Sequence, residues 1–310
     1  MLVEAPRSNG EGRPMLSIIV VFHQMRREAP RTLLSLSRAY QRGVEAIDYE
    51  VIAVDSRSSA PLDPAEVEAF GPEFRYLRHE TESVSPAEAV NRAAAMARGD
   101  YITVCVDGAR ILSPGIVRYT ALGCRLSPRP VVAALGYHLG PMSQRDSTLA
   151  GYDQAVEDSL LAGSGWERDG YRLFNISCFA NASAGGWFTP PSESNCITVT
   201  RAMFDELGGF DTAFRSRGGG LVNPDFFRRA CDAPGTQLVM LVSEGCFHQV
   251  HGGVSTNPPA GQRPDREFHA EYRRLRGDSY RRPTARPIYL GEVQDAAIPF
   301  LKASADHVAS

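Results

Sequence analysis

Asn91-Arg-Ala-Ala-Ala-Met-Ala-Arg-Gly-Asp-Tyr-Ile-Thr-Val-Cys-Val-Asp107 decides how the chain is read. Its first half is alanine-rich and small enough to lie close on a sheet; its second is a strand-like apolar run ending on a carboxylate. Ser85-Pro86 suits the cap and first turn of a helix predicted over Ser85 to Arg98, with Gly99 expected to end it in a left-handed conformation. The same alternation occurs upstream. Ser17-Ile-Ile-Val-Val-Phe22 has the unbroken apolarity of a parallel strand buried on both faces, and Pro30 to Tyr40 changes to a helical period. Tyr49-Glu-Val-Ile-Ala-Val-Asp55 completes a strand, helix, strand unit, and Phe74 to Leu77 adds a short strand.

Downstream the pattern predicts a helix over Pro114 to Leu126 and a strand over Val131 to Tyr137. Residues 140–190 read as loops, hairpins and a short helix. Strands over Cys196 to Thr200 and Gln237 to Ser243 follow, with helices over Arg201 to Leu207, Pro224 to Cys231 and Asp265 to Arg276. The fold class is therefore α/β, an open and mostly parallel sheet with helices on both faces.

The chain has 310 residues of which 43% are hydrophobic, enough for a full core and against a disordered main state. A net charge of −3 offers no basic footprint for nucleic acid. Lys302 is the one lysine among the basic residues, which carries no functional reading. Cys105, Cys124, Cys178, Cys196, Cys231 and Cys246 are widely spaced without a C-x-x-C pair, which argues against a zinc site or disulfide framework and for a reducing, cytoplasmic setting. Leu16 to Phe22 is too short to span a membrane, and Glu4 and Glu11 stand where a signal peptide carries positive charge. Polar residues 1–14 read as a flexible tail.

In an open α/β sheet, ligands sit beyond the carboxyl ends of the strands. Three such ends stand out: Phe22-His23-Gln24, Asp55-Ser56 and Asp107-Gly108. A carboxylate there can bind a nucleoside hydroxyl, a base NH or a divalent metal, or can simply cap the following turn.

The order of these motifs, with Phe204-Asp-Glu-Leu-Gly-Gly-Phe-Asp211, resembles the GT-A glycosyltransferases of the family 2 type over residues 16–255. That resemblance implies a GT-A domain over 15–257, followed by a helical or extended stretch at 258–310. It implies transfer of a sugar from a nucleoside diphosphate donor, UDP rather than GDP, to a hydroxyl of a glycan or small-molecule acceptor, with inversion. By the same similarity, Phe22, His23 and Asp55 would meet the base, and Asn91 and Arg92 the nucleotide or its phosphates. Asp107 matches the first carboxylate of the D-x-D motif that holds Mn²⁺ or Mg²⁺ against the diphosphate. The third position is Ala109, which leaves the metal one ligand short.

His248 lies where some GT-A enzymes place a histidine that completes the metal shell. In Phe247-His248-Gln249-Val250-His251, the two imidazoles would point to opposite faces of a continuing strand, so they converge only across a turn; otherwise they are ordinary loop histidines. An imidazole set favours Mn²⁺ over Mg²⁺. The family's acidic pair for the general base falls at Val222-Asn223, and Asn223 cannot act as a base. Asp225 remains as base or as a charge complement to its helix N-terminus. Glu193 reaches a sugar or lies in an exposed turn. Trp166, Trp187 and Phe188 stack on a sugar ring or pack in the core. Arg273 and Arg276, in the arginine-rich stretch after the histidines, match diphosphate oxygens if that segment folds over the donor as a lid, or form a solvated face or subunit contact of a homo-oligomer. Loss of two motif carboxylates leaves a second reading open, a catalytically silent domain that binds nucleotide or glycan or serves in assembly.

Overall fold

The structure is a computed structural model that describes residues 15–253 and 264–310. The expected tail 1–14 and the expected boundary between 257 and 258 lie outside the described residues. In chain order the strands are β1 Leu16–Phe22, β2 Tyr49–Ser56, β3 Phe74–His79, β4 Tyr101–Cys105, β5 Arg110–Leu112, β6 Pro130–Leu139, β7 Ser177–Phe179, β8 Ile197–Thr200, β9 Gln237–His248 and β10 Ile288–Leu290. The helices are α1 Ala29–Leu36, α2 Pro64–Glu68, α3 Ala87–Met96, α4 Ile116–Gly123, α5 Gln144–Leu149, α6 Gln154–Ser164, α7 Arg201–Glu206, α8 Val222–Asp232, α9 Asp265–Arg276 and α10 Ile298–Ala309.

The strands build one sheet in the order β10-β9-β6-β8-β4-β1-β2-β3, with β5 added to β9 and β7 to β6. β3, β2, β1 and β4 run parallel, β8 is antiparallel to both its neighbours, and β6, β9 and β10 are parallel again. Alternate residues of β1 explain why its sequence is apolar throughout. Ile18, Val20 and Phe22 pack in a core with Leu33 and Leu36 of α1 and with Ile116 and Val117 of α4, whereas Ile19 and Val21 join Val90, Ala93 and Ala94 of α3. The alanines let α3 approach the sheet closely.

Gly99 has a different reason from the one expected. α3 ends at Met96 with Ala97 extended, and a Cβ on Gly99 would lie 2.7 Å from the Ser17 amide nitrogen of β1. The glycine is there because two backbones nearly touch, and its own N–H donates to Ser17 Oγ at 2.8 Å. Similarly, α1 stops at Leu36, short of Tyr40, because Ser37 turns extended.

β9 continues beyond its predicted end at Ser243. Ser243-Glu244-Gly245 reads as a strand stop, but the register against β6 jumps between Ala133 opposite Met240 and Leu135 opposite Gly245, so the chain bulges and resumes. Ser243 takes a positive φ of 61° within the bulge. Glu244 is thereby turned into the interior, where Ser113 Oγ, Tyr171 Oη and the Gly115 N–H donate to it. The resumed strand carries His248, paired opposite Arg110 of β5.

The 140–190 region holds two helices, α5 and α6, where one short helix was expected. Asp153 caps α6 by accepting from the Val156 N–H at 2.9 Å, and Gly165 closes it in a left-handed conformation. At the C-terminus, β10 forms the sheet edge and α10 packs Phe300 against Tyr137, Phe174 and Phe179. These last residues complete the core on that side of the sheet.

Candidate metal and nucleotide site

Asp107 lies just past the end of β4, where the chain crosses to the end of β1: the Gly108 N–H donates to Val21 O at 2.8 Å. A Cβ on Gly108 would fall 2.4 Å from the Phe22 ring, so only glycine allows this crossing. Asp107 Oδ1 accepts from the Ala109 N–H at 3.1 Å, and Ala109 itself is fully buried. The side chain thus caps its own turn and still faces the cleft.

His248 and His251 converge on it. Gln249 N–H donates to Ala109 O at 2.8 Å, turning the chain after β9 so that both rings share one side. His248 Nε2 lies 2.8 Å from Asp107 Oδ2, and His251 Nε2 lies 3.6 Å from Oδ1. The two Nε2 atoms are 3.2 Å apart, and one ligand atom from each of the three residues lies within 4.8 Å of the others.

Gln144 of α5 orients the ring, because its Oε1 accepts from His248 Nδ1 and Nε2 is thereby turned toward Asp107. Burial pushes His248 down to about 4, so the ring is neutral at pH 7. Burial works against the Asp107 carboxylate, but His248, His251 and Arg110 outweigh it and hold the group well below the usual range. One carboxylate and two imidazoles, each with a ligand atom within 4.8 Å of the others, suit a borderline divalent cation such as Mn²⁺.

The helices α5 and α6, in the region where one short helix was expected, hold this arrangement. The Val250 N–H, between the two histidines, donates to Glu157 Oε2 of α6 at 2.8 Å. Arg27, following β1, bridges Glu28, Glu157 and Asp158, and donates to Val250 O at 3.2 Å. Gln144 and Glu157 were both missed as functional positions. The Asp153 cap and Gly165 stop mark α6 in the sequence, but nothing there says what it touches.

The expected nucleotide residues are placed unevenly. His23 is exposed, with Nδ1 donating to Ser56 O at 2.7 Å, which ties the β1 end to the β2 end and leaves Nε2 open. Arg92 is exposed and makes no ion pair among the described residues. Phe22, by contrast, is fully buried under Gly108. Asp55 is 1% exposed, and its oxygens are taken by the Ser58 and Leu62 amides and by Arg78. It shapes the loop after β2 and has no oxygen to offer a base. Asn91 is likewise spent: Nδ2 donates to Phe210 O at 2.8 Å and Oδ1 accepts from the Phe210 N–H at 2.9 Å. Its amide clamps the Leu207-Gly-Gly-Phe-Asp211 turn against α3.

Asp225 is fully buried between two arginines. Arg276 Nε donates to Oδ1 at 2.6 Å, and Arg229 Nε to Oδ2 at 2.8 Å. Arg276 also holds Asp211 at 2.7 Å, so neither Asp225 as base nor Arg276 as diphosphate ligand is free for its expected role. They join α9 to α8 beside a cavity of about 460 Å³ lined by Asn91, Gly209, Asp211 and Arg229, which does not include Asp107. Arg273 is exposed on α9 without an ion pair among the described residues. Glu193 is half-buried, and Asn223 Nδ2 donates to its Oε2 at 3.2 Å. Trp166 and Trp187 are core residues, 2% and 0% exposed, and Phe188 packs edge-on against Tyr289.

Comparison with known proteins agrees with this layout. Residues 17–107 match the profile of Glycosyl transferase family 2. No curated protein matches the sequence. Among solved structures, S. aureus TarS is similar at TM-score 0.50 and 15% identity, over 76% of this chain and 36% of that one. TarS 1–349 in complex with UDP gives 0.47 and 15%, over 75% and 60%. The mannosyltransferase PcManGT from Pyrobaculum calidifontis, in complex with GDP-Man and Mn²⁺, gives 0.46 and 18%, over 98% and 72%. The chain spans well under two thirds of the TarS proteins, and at these identities the likeness speaks to the fold. The profile match runs from β1 to Asp107, and the open, mostly parallel sheet that this stretch begins is the GT-A type of α/β fold, so over these residues the chain is similar to Glycosyl transferase family 2.

Proposed function

We propose that the protein transfers a glycosyl group from a nucleoside diphosphate sugar, UDP-linked in preference to GDP-linked, to an acceptor hydroxyl. The observation that carries this reading is the convergence of Asp107, His248 and His251 at the carboxyl end of β4, next to the end of β1. The second histidine stands in for the carboxylate missing at Ala109. A divalent cation held there would stabilise the charge that develops on the leaving diphosphate.

The chain's own groups supply the rest. His23 Nε2 and Arg92 remain open at the nucleotide end. Glu193 is the general base: its carboxylate takes the acceptor's hydroxyl proton as the new C–O bond forms and the bond to the diphosphate breaks, with inversion. Asn223, at the position of a family carboxylate, orients Glu193 through its Nδ2. No helix among the described residues is long and apolar enough to cross a membrane, consistent with a nucleotide-sugar donor in the cytoplasm.

The test is calorimetric titration with UDP and with GDP, each with and without Mn²⁺. Nucleotide binding strengthened by Mn²⁺, and lost as a metal-dependent effect in Asp107→Ala and His248→Ala, is expected. Undiminished metal-dependent binding in both folded variants defeats the metal site, and no binding of either nucleotide under any condition leaves a silent domain.

A further inference from the structure

Arg110 is 8% exposed, yet its side chain makes no hydrogen bond among the described residues, and its buried Nε has no partner. Its one polar contact is NH2 to Asp107 Oδ2 at 3.3 Å. It stands opposite His248 in the β5–β9 ladder, so its side chain rises from the same face as that imidazole. Its NH1 lies 3.6 Å from where a Cβ on Gly136 of β6 would sit, which places the guanidinium over that strand.

A guanidinium carries five donors in a planar fork, and burying it with a single long contact leaves most of them uncompensated. Arg27 and Arg31 are occupied by the acids of α6, and Arg276 by Asp225 and Asp211. Arg110 alone, among the described residues, is an arginine in contact with the Asp107 and histidine cluster. The charge balance points the same way. Asp107 and Arg110 cancel, so with a divalent cation the cluster would be net positive and suit a polyanion.

We infer that Arg110 is a diphosphate-binding residue, its fork taking oxygens of the donor's β-phosphate beside the metal position. This rests on the reading above and adds a specific ligand to it. An arginine serving only as the ion-pair partner of Asp107 would be indifferent to whether the nucleotide carries one phosphate or two. One engaging the β-phosphate discriminates between them, because charge-assisted hydrogen bonds to phosphate are the strong ones.

The experiment compares UDP with UMP, and GDP with GMP, by calorimetry in Mn²⁺ on the wild type and Arg110→Gln. The expected result is a fall of roughly 10- to 100-fold in the diphosphate to monophosphate affinity ratio, the size of one or two charged hydrogen bonds, with monophosphate affinity little changed. An unchanged ratio in a folded variant overturns the inference while leaving the transferase reading intact. A wild type that binds none of the four nucleotides refutes that reading and the inference with it. If Arg110→Gln does not fold, the wild type decides through modification by phenylglyoxal mapped by peptide mass spectrometry. Protection of Arg110 by the diphosphate but not by the monophosphate supports the inference, and equal protection or none overturns it.

Discussion

Replacing Asp225 with asparagine separates a structural carboxylate from a catalytic one. The side chain is fully buried and accepts from Arg276 Nε at 2.6 Å, Arg276 NH2 at 2.8 Å and Arg229 Nε at 2.8 Å. Arg229 in turn holds Leu207 O and Gly209 O, so one carboxylate ties α9, α8 and the glycine turn together. Asp225→Asn keeps the shape and removes the charge. Breaking a buried ion pair from one side costs about 3–5 kcal/mol. The guanidiniums are 26% and 25% exposed, and each keeps another acceptor, which favours the lower end. About 3 kcal/mol, spread over the unfolding entropy of a chain this long, lowers the thermal midpoint by roughly 5 °C. Scanning calorimetry and urea titration measure this, and nucleotide binding and glycosyl transfer are assayed well below the new midpoint. The expected outcome is a destabilised protein that still binds nucleotide and turns over. Unchanged stability with turnover lost would refute the assignment and return Asp225 to the role of base.

Two further expectations follow from buried groups. Burial raises Glu244 to about 7, against the Ser113, Tyr171 and Gly115 hydrogen bonds, so the native state keeps a proton that the unfolded chain releases near its ordinary value of 4.5. The stability that Glu244 contributes is therefore fully present below about 4.5 and falls by roughly 3 kcal/mol as pH rises through about 7, with Glu157 adding a second fall of the same sign. Glu244→Gln should remove about half of that slope in denaturation midpoints taken from pH 4.5 to 8; an unchanged slope would show that Glu244 is ionised throughout. Gly99→Ala and Gly99→Asn should both destabilise by about 1–3 kcal/mol or more, because the added Cβ meets the β1 backbone. If Gly99→Asn were tolerated in a urea titration while Gly99→Ala was not, a left-handed conformation would be the better account.

The departures from the family pattern are linked. Ala109 is sealed in the core, and in the proposed site His251 would supply the missing ligand across a turn; Asn223 is not a base, and it donates to Glu193. In both places the proposed replacement comes from a segment distant in sequence and adjacent in space.

The alternation of apolar periods in β1, β2, α3 and β4 was enough to specify the parallel half of the sheet, because strands buried on both faces and helices buried on one leave different local signatures. Asp107 was legible for the same reason, since it follows a strand whose course was already clear, whereas His248 came from the resemblance, its strand having been expected to end at Ser243. Which polar side chains remain free was not legible. Asp55, Asn91, Asp225 and Arg276 are the residue types a nucleotide site uses, yet each is satisfied by a partner 7 to 119 residues away. The bulge at Ser243 to Gly245, the placement of Gln144 and Glu157 behind the histidines, and the burial of Arg110 without a hydrogen bond all depend on pairings between β5, β6, β9 and α6. Local periodicity reports which face a residue turns to the core; only tertiary packing decides whether a buried donor or acceptor meets a partner from the chain or is left for a ligand.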